Sequence, residues 1–219
     1  MHVLCCRRRN RSLPAPQLDQ VSYQEVDGET RINGTILESL TGAQFEVSGV
    51  GPAVSTAQWH HLLDQFVTHC GKGLGVITGS LQRDLPQDLY AEAVRRVQAA
   101  GGRAVVDSHD DLLRHAVEAQ PFLIKPNRFE LEALAGKPLS NEQEIVREAR
   151  RLQERGVTWI CVSLGAEGAL LVTPSGVYKG EAPSVPVSST VGAGDSMVAG
   201  MVGLLAQGAS EQDALREGI

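Results

Sequence analysis

From residue 21 onward, short apolar runs alternate with longer amphipathic stretches, and small polar residues, glycine and proline separate them. Val21, Tyr23 and Val26 lead to Asp27-Gly28, a hairpin signal, and the chain returns from Thr30 to Glu38. A second turn at Thr41-Gly42 precedes Phe45-Glu46-Val47. Three short strands without helices between them predict a small antiparallel unit over residues 21–50. A sheet that small must lie against the main body or a partner chain to bury its apolar side.

The pattern then changes. Ser55 reads as an N-cap, and Trp59, Leu62, Leu63, Phe66 and Val67 recur at helical spacing. Gly75 to Thr78 is a short buried strand ending at Gly79-Ser80. Leu85 to Ala100 reads as a helix, Arg103 to Asp107 as a strand and His109 to Ala119 as a helix. Phe122-Leu123-Ile124 is a strand ending at Lys125-Pro126-Asn127, and Glu130 begins another helix. Ser140 is the expected cap of a helix running to Arg155, with Gly156 as its stop. Thr158 to Ser163 is a strand, and Ala169 to Val172 with Val177-Tyr178 forms a hairpin about Pro174-Ser175-Gly176. Strands alternating with helices predict an α/β fold over residues 51–219, with a mostly parallel sheet and helices on both faces.

Composition narrows the class. A chain of 219 residues, 42% hydrophobic and 21% charged, suits one α/β domain or a domain with a small appendage. A formal net charge of −6 gives no reason to expect nucleic acid as a partner. No apolar run approaches the roughly 18 residues of a membrane span, so no membrane partner is expected. Cys5, Cys6, Cys70 and Cys161 show no metal spacing, and the adjacent pair is a poor mutual disulfide, which points to the reducing cytoplasm. Residues 1–20 crowd Arg7, Arg8, Arg9 and Arg11 ahead of Pro14 and Pro16 and lack the apolar core of a signal peptide. They are expected to be a disordered basic tail.

The stretch with the most chemistry is Ser188-Ser189-Thr190-Val191-Gly192-Ala193-Gly194-Asp195-Ser196, which feeds an apolar helix from Met197 to Leu205. Small residues let the backbone approach a ligand, and the first amides of a helix lack intrahelical partners. Such amides, with the positive end of the helix dipole behind them, suit an anion. Asp195 places a carboxylate at the same spot, which suits phosphoryl transfer from ATP-like donors. The alternative is that Asp195 caps the helix and the glycines only turn the chain. This is not a P-loop, because no Lys-Ser or Lys-Thr pair follows the second glycine. Polar stretches also collect at the carboxyl ends of the strands, at Gly79-Ser80, Asp107-Ser108, Lys125 to Asn127 and Ser163 to Gly168. Open α/β sheets bind ligands along that edge.

Three motifs now stand in order: Lys125-Pro126-Asn127-Arg128-Phe129-Glu130-Leu131-Glu132, then Ser163-Leu164-Gly165-Ala166-Glu167-Gly168, then Ser189 to Ser196. Together, across residues 21–219, they resemble the PfkB-type, ribokinase-like sugar kinases. Within that family, Thr30-Arg31-Ile32-Asn33 and Gly192 to Gly200 look most like fructose-1-phosphate kinases, with tagatose-6-phosphate kinases second. The resemblance implies a ribokinase-like fold with an antiparallel β lid, and ATP and Mg2+ as cofactors. It makes Asp195 the base that takes the acceptor hydroxyl proton, with Gly192, Ala193 and Gly194 supplying the anion-hole amides. Asn127 and Glu130 would organise magnesium through water, and Lys125 would help hold nucleotide phosphates. Ser163, Gly165, Ala166, Glu167 and Gly168 would face ATP. Arg31, from the lid, and Ser80 would lie on the side of the sugar phosphate. Family members often dimerise through the lid, which makes residues 21–47 the expected self-association surface.

Departures from the family pattern accompany these matches. The strand with a sugar-binding aspartate and the Gly-Gly-rich segment of complete members are not recognisable, and the chain ends at Ile219 soon after the catalytic helix. Gln82-Arg83 stand where the family usually has proline. The sequence reads as an internal fragment of a kinase, and a non-catalytic remnant that binds nucleotide or a partner chain is the rival expectation. A parallel sheet lacking its first strands exposes a pairing edge. The isolated chain is therefore expected to be marginally stable and to aggregate; a monodisperse preparation with one cooperative melt in calorimetry would contradict this.

Overall fold

The computed structural model describes residues 2–8, 20–29, 31–41, 43–81, 85–185 and 190–219. Two compact units emerge, Met1–His69 with Leu81–Pro86, and Cys70–Ser80 with Gln87–Ile219.

In the first unit, strand β1 (His2–Arg8) pairs in parallel with β2 (Gln20–Val26), His2 opposite Gln20 and Arg8 opposite Val26. A disordered tail was expected over the first of these segments. The run Val3-Leu4-Cys5-Cys6, too short for a signal peptide, is long enough for a strand. The hairpin expected at Asp27-Gly28 does not form either. A tight two-residue hairpin turn needs positive φ at both central positions; Gly28 has φ +109°, but Asp27 is not in that region. Instead β3 (Gly34–Leu37) pairs antiparallel with β4 (Gln44–Val47), Ile36 opposite Phe45. Their connection is closed by the Glu38 amide donating to the Ala43 carbonyl at 2.8 Å. Gly42, of the expected second turn, lies outside the described residues. The lid is thus two separate ribbons, one of them parallel.

Helix α1 (Thr56–Cys70) starts as expected. The Ser55 hydroxyl accepts from the Gln58 amide at 3.2 Å, and Gln58 Oε1 accepts from the Ser55 amide at 2.9 Å. That reciprocal pair satisfies two donors that the helix start would otherwise leave bare.

The second unit carries the main sheet. In chain order come β5 (Leu74–Thr78), α2 (Leu89–Ala99), β6 (Arg103–Asp107), α3 (Asp110–Glu118), β7 (Leu123–Ile124), α4 (Arg128–Ala135), α5 (Glu142–Glu154) and β8 (Trp159–Ser163). β9 (Ala169–Val172), β10 (Val177–Gly180), α6 (Ala193–Ala206) and α7 (Glu211–Glu217) follow. The six strands lie in the order β10-β9-β8-β7-β6-β5. β5 to β8 run parallel, and β9 and β10 turn antiparallel at the far side. This is the α/β architecture expected, and its strands read as apolar runs because both faces are covered.

The pleat sends alternate residues to opposite faces. Val105, Leu123, Cys161 and Leu171 pack under Val198, Met201, Leu205, Ala214 and Leu215 of α6 and α7. Ile124, Ile160 and Leu170, one residue out of phase, are fully buried on the side where α2, α3 and α5 bury Val94, Leu113, Ile145 and Leu152. Local caps differ by a residue or two from expectation. α2 begins after Pro86 rather than at Leu85. α5 is capped by Asn141, whose side chain accepts from the Glu144 amide at 3.0 Å, in place of Ser140. Helix α7 was not anticipated, although Ser210 accepting from the Asp213 amide at 3.1 Å marks its start. No helix among the described residues is long and apolar enough to cross a membrane.

α6 is held from behind by α7 at very short range. A Cβ added at Gly200 would stand 2.5 Å from the Glu217 carbonyl oxygen, and one at Gly218 would stand 2.7 Å from Met201 Cγ. α7 is in turn tied to the β9–β10 turn. Glu211 accepts from the Ser175 hydroxyl, which also lies 3.1 Å from the Tyr178 hydroxyl. Burial alone would raise the Glu211 carboxyl; hydrogen bonds from Ser175, Tyr178 and Thr173 outweigh it and hold its pKa below the usual value. A depressed carboxylate contributes stability above its unfolded pKa and loses it as pH falls through the folded one.

Two outcomes follow for stability. Helix propensity alone favours alanine over glycine by about 1 kcal/mol, and Gly203, with nothing within 4 Å of an added Cβ, should show that gain on Gly203→Ala in urea melts. Gly200→Ala should reverse the sign and cost about 1–3 kcal/mol, because the methyl drives α7 away. Glu211→Gln should lower stability at neutral pH and flatten its loss between neutral and acid pH, read as urea midpoints across the carboxylate range.

Candidate active site

The carboxyl ends of β5, β6, β7 and β8 meet the start of α6 along one edge of the second unit. β6 ends in Asp107-Ser108, where the Ser108 hydroxyl donates to the Gly79 carbonyl at 3.4 Å and so joins the end of β5. The pairing of β6 with β7 runs one residue further, through the Lys125 amide to the Val106 carbonyl at 3.1 Å. That register places Lys125 beside Asp107, with Nζ to Oδ1 3.2 Å. The pair is buried; the Lys125 side chain is 7% exposed and that of Asp107 16%.

Beyond Lys125, Pro126 ends the strand, its carbonyl accepting from the Ser163 amide at 3.0 Å, and Asn127 bridges in parallel to Ser163. Asn127 is then the N-cap of α4. Its side chain accepts from the Glu130 amide at 2.9 Å, while Glu130 Oε2 accepts from the Asn127 amide at 2.7 Å. The two residues expected to organise a metal therefore form a capping box. One carboxylate oxygen of Glu130 holds the helix start, and its second oxygen has no bond to that cap.

The turn after β8 is equally tight. Gly165–Glu167 makes a single 3-10 turn, and Gly165 and Gly168 have φ of +62° and +90°. A Cβ at Gly168 would stand 1.9 Å from the Gly180 carbonyl oxygen, so no other residue fits. Arg128, at the start of α4, reaches Glu167 at 3.5 Å and links the α4 start to this turn.

α6 opens with Gly192 as its N-cap, φ +81°, and no side-chain cap bond. Asp195 stands inside the first turn with its side chain exposed, so it is not the cap. The Ala193 amide donates to the Thr190 carbonyl at 3.2 Å and the Ser196 amide to the Gly192 carbonyl at 2.9 Å. Ala193, expected among the anion donors, is already engaged. Among the described residues, the Gly194 and Asp195 amides meet no backbone acceptor. Gly194 is the point of closest approach to β7, its added Cβ standing 3.0 Å from Lys125 Nζ and 3.9 Å from Asp107 Oδ2.

Electrostatics confirm the convergence. Burial lifts the Asp107 carboxyl above its ordinary value; Lys125 opposes this by charge and hydrogen bond, and Asp195 adds to it. Burial also lifts Glu130, against the Asn127 amide and the Lys125 charge. Both carboxyls feel the His109 charge, and His109 Nδ1 lies 2.9 Å from Asp110 Oδ2. Asp110 itself sits at φ +51°, an uncommon conformation that a short polar side chain tolerates. Cys161, wholly buried beneath, is pushed up to about 12 and is inert as a thiolate.

Of the residues singled out in the sequence, Ser80, Lys125, Asn127, Glu130, Ser163, Gly165, Ala166, Glu167, Gly168, Gly192, Ala193, Gly194 and Asp195 lie on elements of this edge. Arg31 belongs to the first unit, half-buried three residues ahead of β3. Asp107 and His109 were not singled out. An aspartate closing a buried strand, in Val105-Val106-Asp107, was the available signal. Chemically, the edge offers an exposed carboxylate beside bare amides at a helix start, which can take a proton and hold an anion.

Known proteins share this arrangement over most of the chain. The 1-phosphofructokinase of Bacillus subtilis is 33% identical over 200 residues, covering 91% of this chain and 65% of its own length. That of Escherichia coli is 36% identical over 191 residues, covering 86% and 61%. The structure of Escherichia coli phosphofructokinase-2 in complex with fructose-6-phosphate superposes with a TM-score of 0.83 at 30% identity, covering 91% of this chain and 66% of that one. Arabidopsis thaliana ribokinase, at 21% identity and a TM-score of 0.67, shares the fold. The chain thus spans slightly less than two thirds of the length of these curated relatives. Residues 20–219 match the profile of one family, and the chain belongs to it: the pfkB family of carbohydrate kinases.

Proposed function

We propose that this edge transfers the γ-phosphoryl group of ATP to the free primary hydroxyl of a phosphorylated ketohexose, most readily fructose 1-phosphate, giving fructose 1,6-bisphosphate. The observation that carries the reading is the exposed Asp195 carboxylate beside the Gly194 and Asp195 amides, at the edge where β6 and β7 end. Asp195 accepts the hydroxyl proton as the new O–P bond forms. The bond from the γ-phosphorus to the bridging oxygen breaks, and ADP carries that oxygen away. The bare amides hold the charge that spreads over the migrating group, which is where phosphoryl transfer gains most. Ser163 and the Gly165–Glu167 turn line the nucleotide side, and Ser80 and Arg31 serve the sugar phosphate.

The donor set fits magnesium. Glu130 offers a second oxygen and Asp107 a carboxylate nearby, and magnesium keeps several waters and needs few direct protein ligands. Among the described residues no three His, Cys, Asp or Glu side chains are grouped to hold a metal directly. Asn127 and Glu130 would therefore hold it through water. Bound there, it would neutralise charge on the ATP phosphates.

The relatives named 1-phosphofructokinase favour fructose 1-phosphate as acceptor. The phosphofructokinase-2 structure with fructose-6-phosphate makes that sugar the second candidate, with tagatose 6-phosphate third. The β3–β4 ribbon supports self-association. Ile36, Phe45 and Val47 share one face by register and are 58%, 56% and 52% exposed. A second copy of the chain would cover an apolar face of this kind.

Asp195→Asn should lower turnover by about a thousandfold or more, with ATP affinity in calorimetric titration changed less than about threefold. Near-normal turnover would remove Asp195 as the base. A coupled ADP-release assay against fructose 1-phosphate, fructose 6-phosphate and tagatose 6-phosphate ranks the acceptors by kcat/KM; turnover on none of them refutes the kinase reading for this chain. Phe45→Glu should shift sedimentation from dimer to monomer if the ribbon is the interface.

A further inference from the structure

Lys125 stands in an unusual place for a lysine. Its side chain is 7% exposed, its ammonium is 3.2 Å from Asp107 Oδ1, and the α-carbon of Gly194 packs directly on it. For folding alone this is a poor choice. A buried ion pair gives little or no net stability over a well-packed apolar pair. A cation beside a helix N-terminus also faces the positive end of the dipole, the wrong sign for stabilising the helix. Both costs change sign when an anion binds at that terminus. The cation then adds to the field of the bare Gly194 and Asp195 amides from the protein side. Asp107 balances it when no anion is present.

The two glycines of the turn separate the steric from the conformational requirement. Gly192 has φ +81° with nothing within 4 Å of an added Cβ, so its need is conformational. Gly194 has an ordinary helical φ, and its added Cβ would press on Lys125 Nζ at 3.0 Å and Cε at 3.5 Å. The absence of a side chain at position 194 is what lets the first turn of α6, with Asp195 one residue on, seat on the ammonium.

We propose that Lys125 is a positioning residue for phosphoryl transfer, acting through the Gly194 backbone to seat the first turn of α6 and to support its anion site from behind, without contacting the nucleotide. The catalytic part rests on the kinase reading above; the seating of the helix does not. In the intact chain, Lys125→Met keeps the volume and removes the ammonium. It should speed hydrogen exchange of the Ser196 amide, the first hydrogen bond of α6, by about tenfold relative to the sheet amides. It should also lower kcat by about tenfold or more, with the affinity for magnesium-ATP changed less than about threefold. Gly194→Ala should likewise speed Ser196 exchange, and adding Lys125→Met should relieve the part due to the clash, since sites in contact are not additive.

Unchanged Ser196 protection in Lys125→Met overturns the proposal. So does a tenfold loss of magnesium-ATP affinity, which would make the lysine a phosphate ligand. If Lys125→Met does not fold, Gly194→Ala reads the same contact from the helix side, and unchanged exchange there overturns it equally. A wild-type chain that turns over no sugar counts against the kinase reading, and the exchange measurements then decide the seating alone.

Discussion

The closeness of α6 to the end of β7 is the constraint on which the site depends. At Gly194 the helix backbone rests against a buried ammonium, and behind it Gly200 and Gly218 let α7 approach with no side chain between. A helix clamped between two glycine contacts has little freedom to slide or tilt. Its first turn, with Asp195 and two bare amides, is thereby held at the edge where β6 and β7 end. Positioning of this kind is what phosphoryl transfer asks of a protein, since the phosphorus chemistry needs little covalent help.

The surrounding turns have the same economy. Asn127 and Glu130 complete each other's backbone hydrogen bonds, and the bridge from Asn127 to Ser163 locks the ends of β7 and β8 together. The resemblance reads these residues as magnesium organisers, and the geometry reads them as a cap. The two are compatible, because a carboxylate has two oxygens and the cap uses one. Gly168 shows the stricter case, where contact with the Gly180 carbonyl leaves no room for any side chain.

Charge follows from burial here more than from pairing. Asp107 is raised although a lysine lies 3.2 Å away, because desolvation outweighs that attraction. The edge gathers the carboxyls of Asp107, Glu130 and Asp195 around one buried cation and one histidine. Such a group is poised for cationic and phosphate ligands together, and less so for either alone.

Local patterns along the chain determined most of the elements. Apolar runs flanked by glycine marked β5 to β10, and the order of the three motifs marked the edge they share. The first unit was misread, because turn signals state where a chain bends and are silent on which strands then pair. Asp27-Gly28 bends, yet β2 finds β1, and a basic tail becomes a strand. Pairing is decided by contacts between residues distant in sequence, which no local window contains. The same holds at the site. The glycines, Asp195 and Lys125 were all visible in the sequence, but Lys125 looked like a phosphate ligand. Its burial beneath Gly194, and its partnership with Asp107, arise only when β6, β7 and α6 are brought together by a sheet and a core that bury it.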